Sequence, residues 1–165
     1  MSDFTIRKAE NDGDLKSIAA LADVIWHEHF KTILSPEQID YMVARFQSYE
    51  AIKEAVSDNG YVYYMAYKDG NLCGYLGIHD EDDGVIFISK VYVHSDMRRQ
   101  GVATRLFERL RNDFKDSKKW YLTVNKYNSS SIEVYKKRGF EITDAAVTDI
   151  GSGFVMDDYI MEKQF

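Results

Sequence analysis

The strand Val85-Ile86-Phe87-Ile88-Ser89-Lys90-Val91-Tyr92-Val93 runs directly into His94-Ser95-Asp96-Met97-Arg98-Arg99-Gln100-Gly101-Val102-Ala103-Thr104, and this junction decides the fold. Val85, Phe87, Ser89, Val91 and Val93 fall on one face of a long strand, and Ile86, Ile88, Lys90 and Tyr92 on the other. The basic turn after it opens an amphipathic helix through Leu106, Phe107, Leu110 and Phe114. A helix start presents unpaired amides and the positive end of its dipole. Gly101 and Ala103 leave that backbone uncovered, and Arg98 and Arg99 add charge, so the junction is suited to a phosphate. Neither Gly-x-x-x-x-Gly-Lys-Ser/Thr nor Gly-x-Gly-x-x-Gly occurs, which excludes the familiar phosphate loops.

Downstream, the spacing predicts a strand at Trp120–Val124, a helix holding Ile132 to Lys137 that stops at Gly139, and two closing strands, Phe140–Thr143 and Phe154–Met161. Upstream, Tyr61 to Tyr67 and Leu72 to Ile78 form a hairpin about Asp69-Gly70. The acidic turn Asp80 to Gly84 then leads into the long strand. Before the hairpin lie a short strand at Phe4–Lys8 and three helices. The first is capped within Asn11 to Asp14 and buries Leu15, Ile18, Ala22, Ile25 and Trp26. The second starts at Ser35-Pro36-Glu37-Gln38, with Gln38 reaching back to the cap amide and a stripe of Ile39, Met42, Val43 and Phe46. The third runs from Ser48 to Val56.

With 165 residues, against roughly 150 per domain, the chain is expected to be one domain, residues 1–165, with no linker or repeat. Its 45% hydrophobic content excludes a disordered chain. The net charge of -6 argues against nucleic acid and suits a cationic small substrate. A single cysteine, Cys73, rules out an intramolecular disulfide or a multi-cysteine zinc site and fits a reducing compartment. Without a signal peptide or an apolar run of membrane-spanning length, a cytoplasmic protein with no membrane partner is expected.

Arg98-x-x-Gly101-x-Ala103, placed between a strand and a helix, resembles the acetyl-CoA signature of the GCN5-related N-acetyltransferase (GNAT) superfamily. Asn128-Ser129-Ser130-Ser131-Ile132-Glu133-Val134-Tyr135-Lys136-Lys137-Arg138-Gly139-Phe140 is similar to the superfamily's Asn-x-x-Ala-x-x-x-Tyr-x-x-x-Gly-Phe helix, and the two follow in the family's order. Trp26 to Phe30, Ser35 to Tyr41 and Met156 to Met161 look most like the bacterial branch that includes polyamine acetyltransferases. The resemblance implies an α/β fold: a central mixed, mostly antiparallel twisted sheet flanked by helices, split between the Val93 and Trp120 strands to admit acetyl-CoA. It further implies acetyl transfer to a primary amine, a di- or polyamine among the acceptors, with a peptide amine or a non-catalytic acyl-CoA-binding role as alternatives. A homodimer is compatible with it, and no metal is needed.

By position, the resemblance gives Val91 and Val93 main-chain contacts to the pantetheine arm. Arg98, Arg99, Gln100, Gly101, Val102, Ala103 and Thr104 would hold the pyrophosphate, and Asn128 the pantetheine. Tyr135 would protonate the leaving sulfur, a role suited to a phenol of ordinary pKa, about 10. Many relatives carry a glutamate base near Ser89, where this chain has Ser89 and Lys90, leaving Glu28, Asp80, Glu81 and Asp157 as candidates, each more readily read as a solvated surface charge. The histidines, the cysteine and the tyrosine run read as structural. His27 and His29 point to different sides of a helix, His79 and His94 are surface imidazoles, Cys73 is a core residue, and Tyr61, Tyr63, Tyr64 and Tyr67 pack a sheet.

Overall fold

The computed structural model describes residues 4–165. Strands β1 (Phe4–Lys8), β2 (Tyr61–Lys68), β3 (Asn71–Asp80), β4 (Val85–Val93), β5 (Lys119–Asn125), β6 (Glu141–Gly151) and β7 (Phe154–Gln164) form one sheet in the order β1-β2-β3-β4-β5-β7-β6. The helices are α1 (Asp12–His29), α2 (Pro36–Met42), α3 (Tyr49–Asp58), α4 (Val102–Asp113) and α5 (Ser129–Lys137). The pairs β1/β2, β2/β3, β5/β7 and β6/β7 are antiparallel and β4/β5 is parallel, so the sheet is mixed and mostly antiparallel, as expected. The chain divides into two compact units, residues 4–79 with 90–115, and residues 80–89 with 116–165.

In the first unit, local signals set the helices. Asn11 Oδ1 accepts the Asp14 amide at 2.9 Å, and Ser35 Oγ accepts that of Gln38 at 3.1 Å ahead of Pro36. Ser48 Oγ caps α3 through Ala51 N at 3.2 Å. Helices α1 and α3 bury Leu15, Ile18, Ala22, Ile25 and Ile52 against Tyr63, Met65 and Tyr75 of the sheet. At ~1.5–3 kcal/mol for each large apolar side chain, that cluster supplies much of the unit's stability. The hairpin turn Asp69-Gly70 has both residues at positive φ, 53° and 80°, the twist that matches two antiparallel strands. On the other face, Arg105 and Arg109 of α4 donate to the carbonyls of Phe4 and Ile6, tying α4 to β1.

The second helix departs from the expected stripe. A π-helical turn over Val43–Gln47 adds a residue to the register, so Gln47, and not Phe46, is buried, with its Oε1 accepting the Tyr75 hydroxyl at 3.2 Å. Gln38 Nε2 lies 3.8 Å from Met42 Sδ, one turn further along α2.

In the second unit, β4 and β5 pair over Val85–Ile88 and Lys119–Leu122. That ladder stops after four pairs, and Lys90 to Val93 of β4 belong to the first unit. The two closing strands are longer than expected. β6 begins after Phe140 and runs to Gly151, and β7 continues to Gln164. Among the described residues β6 pairs with β7 alone and is exposed along nearly its whole length, so Asp144 to Asp149 carry little apolar signal although each has a partner on β7.

Candidate active site

Gly101 is the geometric key to the junction after β4. It sits in the left-handed region at φ 85°, and nothing lies within 4 Å of where its Cβ would be. Arg99 also adopts positive φ, 64°. Two left-handed residues in three turn the chain so that Val102 starts α4, and no side chain caps that helix start. An uncovered, uncapped helix N-terminus fits an anionic group, here the pyrophosphate of a CoA ester. Gly74 on β3 makes room beneath it, since a Cβ there would meet Tyr92 O at 3.0 Å and Val102 Cγ1 at 3.1 Å.

Val102 itself is buried, so its side chain is core and only its amide is available to the turn's chemistry. Arg98 is exposed and its Nε donates to Val93 O at 3.3 Å, which engages one of the main-chain groups expected to serve the pantetheine arm. Gln100 braces the turn. Its Nε2 donates to Asp96 O and its Oε1 accepts Lys68 Nζ at 2.9 Å. Ala103 and Thr104 are half-buried in the first turn of α4, and Val91 is half-buried on β4.

The second unit carries the other expected residues. Asn125 Oδ1 accepts the Tyr127 amide at 2.9 Å, and its carbonyl accepts the Asn128 amide at 3.0 Å, folding the turn that starts α5. Asn128 is buried at the cap of α5, with Ser130 Oγ donating to its Oδ1 at 3.4 Å. Tyr135, further along α5, packs edge-on against Phe140 at 5.8 Å between ring centroids. Burial holds its phenol well above the ordinary value, a departure from the expected unperturbed group, and keeps it protonated through the physiological range.

The strand position that lacks a glutamate holds a cation with a structural partner. Lys90 Nζ donates to Phe46 O, a carbonyl within the π-helical turn, and lies 5.5 Å from the Tyr63 ring centroid. Burial lowers its pKa to about 8. The four carboxylates that the sequence offers as bases are largely engaged. Glu28 accepts Ser95 Oγ at 3.1 Å, Asp80 accepts the Asp82 amide at 2.9 Å, Glu81 accepts the Tyr121 hydroxyl, and Asp157 pairs with Lys126 Nζ at 2.8 Å. Within the acidic turn, Asp82, Asp83 and Gly84 all take positive φ, 70°, 55° and 79°. Aspartate tolerates that region better than most residues, so the turn's acidity has a conformational cause.

Sequence reasoning passes over Asp158 as a base. It is 8% exposed on β7, and burial beside Asp157 raises its pKa to about 6. Only burial distinguishes it from its neighbour, and burial has no local signature. Elsewhere, His27 bridges α1 and α2, with Nε2 2.7 Å from Asp40 Oδ1. Tyr61 stands against His79 with ring centroids 5.0 Å apart, and Cys73 is buried with its thiol pushed up by burial. Among the described residues no cluster of His, Cys, Asp and Glu could hold a metal, and no helix is long and apolar enough to cross a membrane.

A mixed sheet whose β4 feeds an open, glycine-led helix start, followed by an Asn-to-Tyr helix, defines the class of acyl-CoA-dependent N-acyltransferases. The chain belongs to the acetyltransferase (GNAT) family, whose model matches residues 18–140, and is therefore an N-acetyltransferase with acetyl-CoA as donor. Among solved structures it resembles the PaiA N-acetyltransferase of Thermoplasma acidophilum in complex with coenzyme A, at 22% identity over 99% of both chains and a TM-score of 0.82. It also resembles a ribosomal-protein alanine N-acetyltransferase from Escherichia coli, at 17% identity over 98% of this chain and 94% of that one, with a TM-score of 0.69. A spermidine N-acetyltransferase chimera from Vibrio cholerae matches at 18% identity over 98% and 95%, with a TM-score of 0.67. No protein with a curated description matches by sequence.

Proposed function

We propose that residues 1–165 act as one N-acetyltransferase domain that moves an acetyl group from acetyl-CoA to a small primary amine, di- and polyamines included, by direct attack. The observation that carries the reading is the turn at Gly101, left-handed, open above its Cα and leading into a helix start without a side-chain cap. The amides of Gly101 to Thr104 would bind the pyrophosphate, with Arg98 and Arg99 adding charge. Main-chain groups of Val91 and Val93, together with Asn128, would hold the pantetheine. When bound, acetyl-CoA supplies an acyl group already activated as a thioester.

An amine attacks only as the neutral base, so the chain must take one proton and give another. Tyr135 is the proposed donor. Its hydroxyl makes no protein hydrogen bond among the described residues, and its raised pKa keeps the proton in place until the departing sulfur needs it.

Similar folds act on a ribosomal-protein alanine and on spermidine, so fold does not choose the acceptor. A small cationic acceptor is supported by the net charge of -6 and the Asp157-Asp158 pair. An amine panel, assayed with acetyl-CoA by free-thiol release, tests the reading. Turnover with alkylamines and spermidine is expected, and salt should raise KM for spermidine more than for a neutral-chain monoamine. Activity confined to peptides would defeat the small-amine reading. Acetyl-CoA binding without turnover on any amine would point to a binding module.

A further inference from the structure

Asp158 is placed where a carboxylate is costly. It lies on β7 between two partner strands, opposite Asn125 of β5 in one register and Ala146 of β6 in the other. Neither partner offers a cation. The cation at hand, Lys126, pairs with Asp157 at 2.8 Å and lies 5.6 Å from the Tyr159 ring centroid. Asp158 thus has no hydrogen-bond or ion-pair partner among the described residues, although it is only 8% exposed. An unpaired buried carboxylate is a standing cost that packing alone does not justify.

The surroundings are chemical. Asn125, across the ladder, closes the turn to Asn128, which starts the helix bearing Tyr135. Asp158 therefore stands at the carboxyl end of β5, where parallel strands of an α/β sheet present ligands.

We infer that Asp158 is the carboxylate that receives the acceptor's ammonium group and takes its first proton. The inference rests on the amine-acetylation reading above. The carboxylate pairs with R–NH3+ and accepts one N–H proton, leaving the nitrogen lone pair to form the C–N bond to the acyl carbon. The C–S bond breaks with its electrons going to sulfur, which receives the Tyr135 proton. The second N–H proton, shed as the amide forms, restores Tyr135, and Asp158 releases its own to solvent. The charged groups bearing on Asp158 are Asp157 beside it and Lys126 at the end of β5. Burial and Asp157 raise its pKa to about 6, with Lys126 opposing them.

The test joins kinetics to a direct titration. Wild-type kcat/KM for an alkylamine should fall on the acid side with a limb near pH 6. Asp158→Asn should lose that limb and roughly 100- to 10,000-fold in rate while keeping its acetyl-CoA affinity, and Asp158→Glu should recover part of the loss. Carboxyl-carbon NMR on the unmodified protein covers the case in which the variant does not fold. The Asp158 signal should titrate near pH 6 and move to lower pKa when butylamine or spermidine is added. An Asp158 signal indifferent to every amine, or an Asp158→Asn enzyme with wild-type rate and pH profile, overturns the inference. A wild-type protein that acetylates no amine counts against the amine-acetylation reading, and the carboxyl titration still decides whether Asp158 receives an ammonium group.

Discussion

Lys90 Nζ donates to the backbone carbonyl of Phe46, so the strand that carries a glutamate in many relatives here anchors a cation to the π-helical turn between α2 and α3. Burial lowers the lysine to about 8, below its unfolded value. Between pH 8 and ~10.4 the unfolded chain then holds more protons than the folded one, and stability from this group rises with pH. Replacing Lys90 with Met is expected to remove that rise, a difference of ~1–2 kcal/mol between the proteins across the window after allowance for partial exposure. Urea unfolding at pH 7.5 and 10 measures it, and parallel curves would mean the ammonium is solvated.

Arg7 and Asp14 form a two-pronged ion pair, with Nη2 to Oδ1 at 2.7 Å and Nη1 to Oδ2 at 2.9 Å, and Asp14 also accepts the Glu10 amide at 2.8 Å. These bonds hold the Asp14 carboxyl well below the usual carboxylate range. The stabilisation is therefore complete above ~pH 4 and is lost as pH falls through the lower folded value. Asp14→Asn should cost on the order of 1–2 kcal/mol at neutral pH and progressively less in strong acid. Thermal melts from pH 7 to 2 check this, and an equal deficit throughout would contradict it.

Gly101→Glu should abolish the thermal stabilisation by acetyl-CoA, which amounts to ~3 kcal/mol at a hundredfold excess over Kd. Gly70→Glu is the matched control, with a similar positive φ of 80° and nothing within 4 Å of its Cβ position. Both variants carry the same backbone strain, so a ligand shift retained by the second and lost by the first isolates the anion site. Loss in both, or in neither, would remove Gly101 from cofactor binding.

Tyr135→Phe is expected to lower kcat by roughly 100- to 10,000-fold and leave acetyl-CoA affinity within about twofold. The ring that packs on Phe140 is preserved and only the hydroxyl is deleted. Single-turnover rates under saturating amine read the chemical step. An unchanged rate there would leave solvent as the acid.

Much of this molecule is legible without coordinates because the relevant physics is local. The cap within Asn11 to Asp14, the cap at Ser35, the start of the third helix at Ser48, the Asp69-Gly70 turn and the alternation of β4 depend on neighbours a few residues away, and each appears in the structure as the sequence predicts. The same holds for Gly101, whose missing Cβ is a property of the residue itself. What the tertiary structure decided depends on distant partners. Gln47 replaces Phe46 inside because Tyr75, 28 residues away, offers it a hydrogen bond and a π-helical turn can shift the register. Strand β6 extends to Gly151 because β7 supplies its ladder, although few of its residues are apolar. Asp157 and Asp158 are chemically identical and adjacent in the chain, yet successive strand residues point to opposite faces. One carboxylate meets Lys126 and the other meets no partner, a distinction that arises only when β5, β7 and β6 are brought side by side.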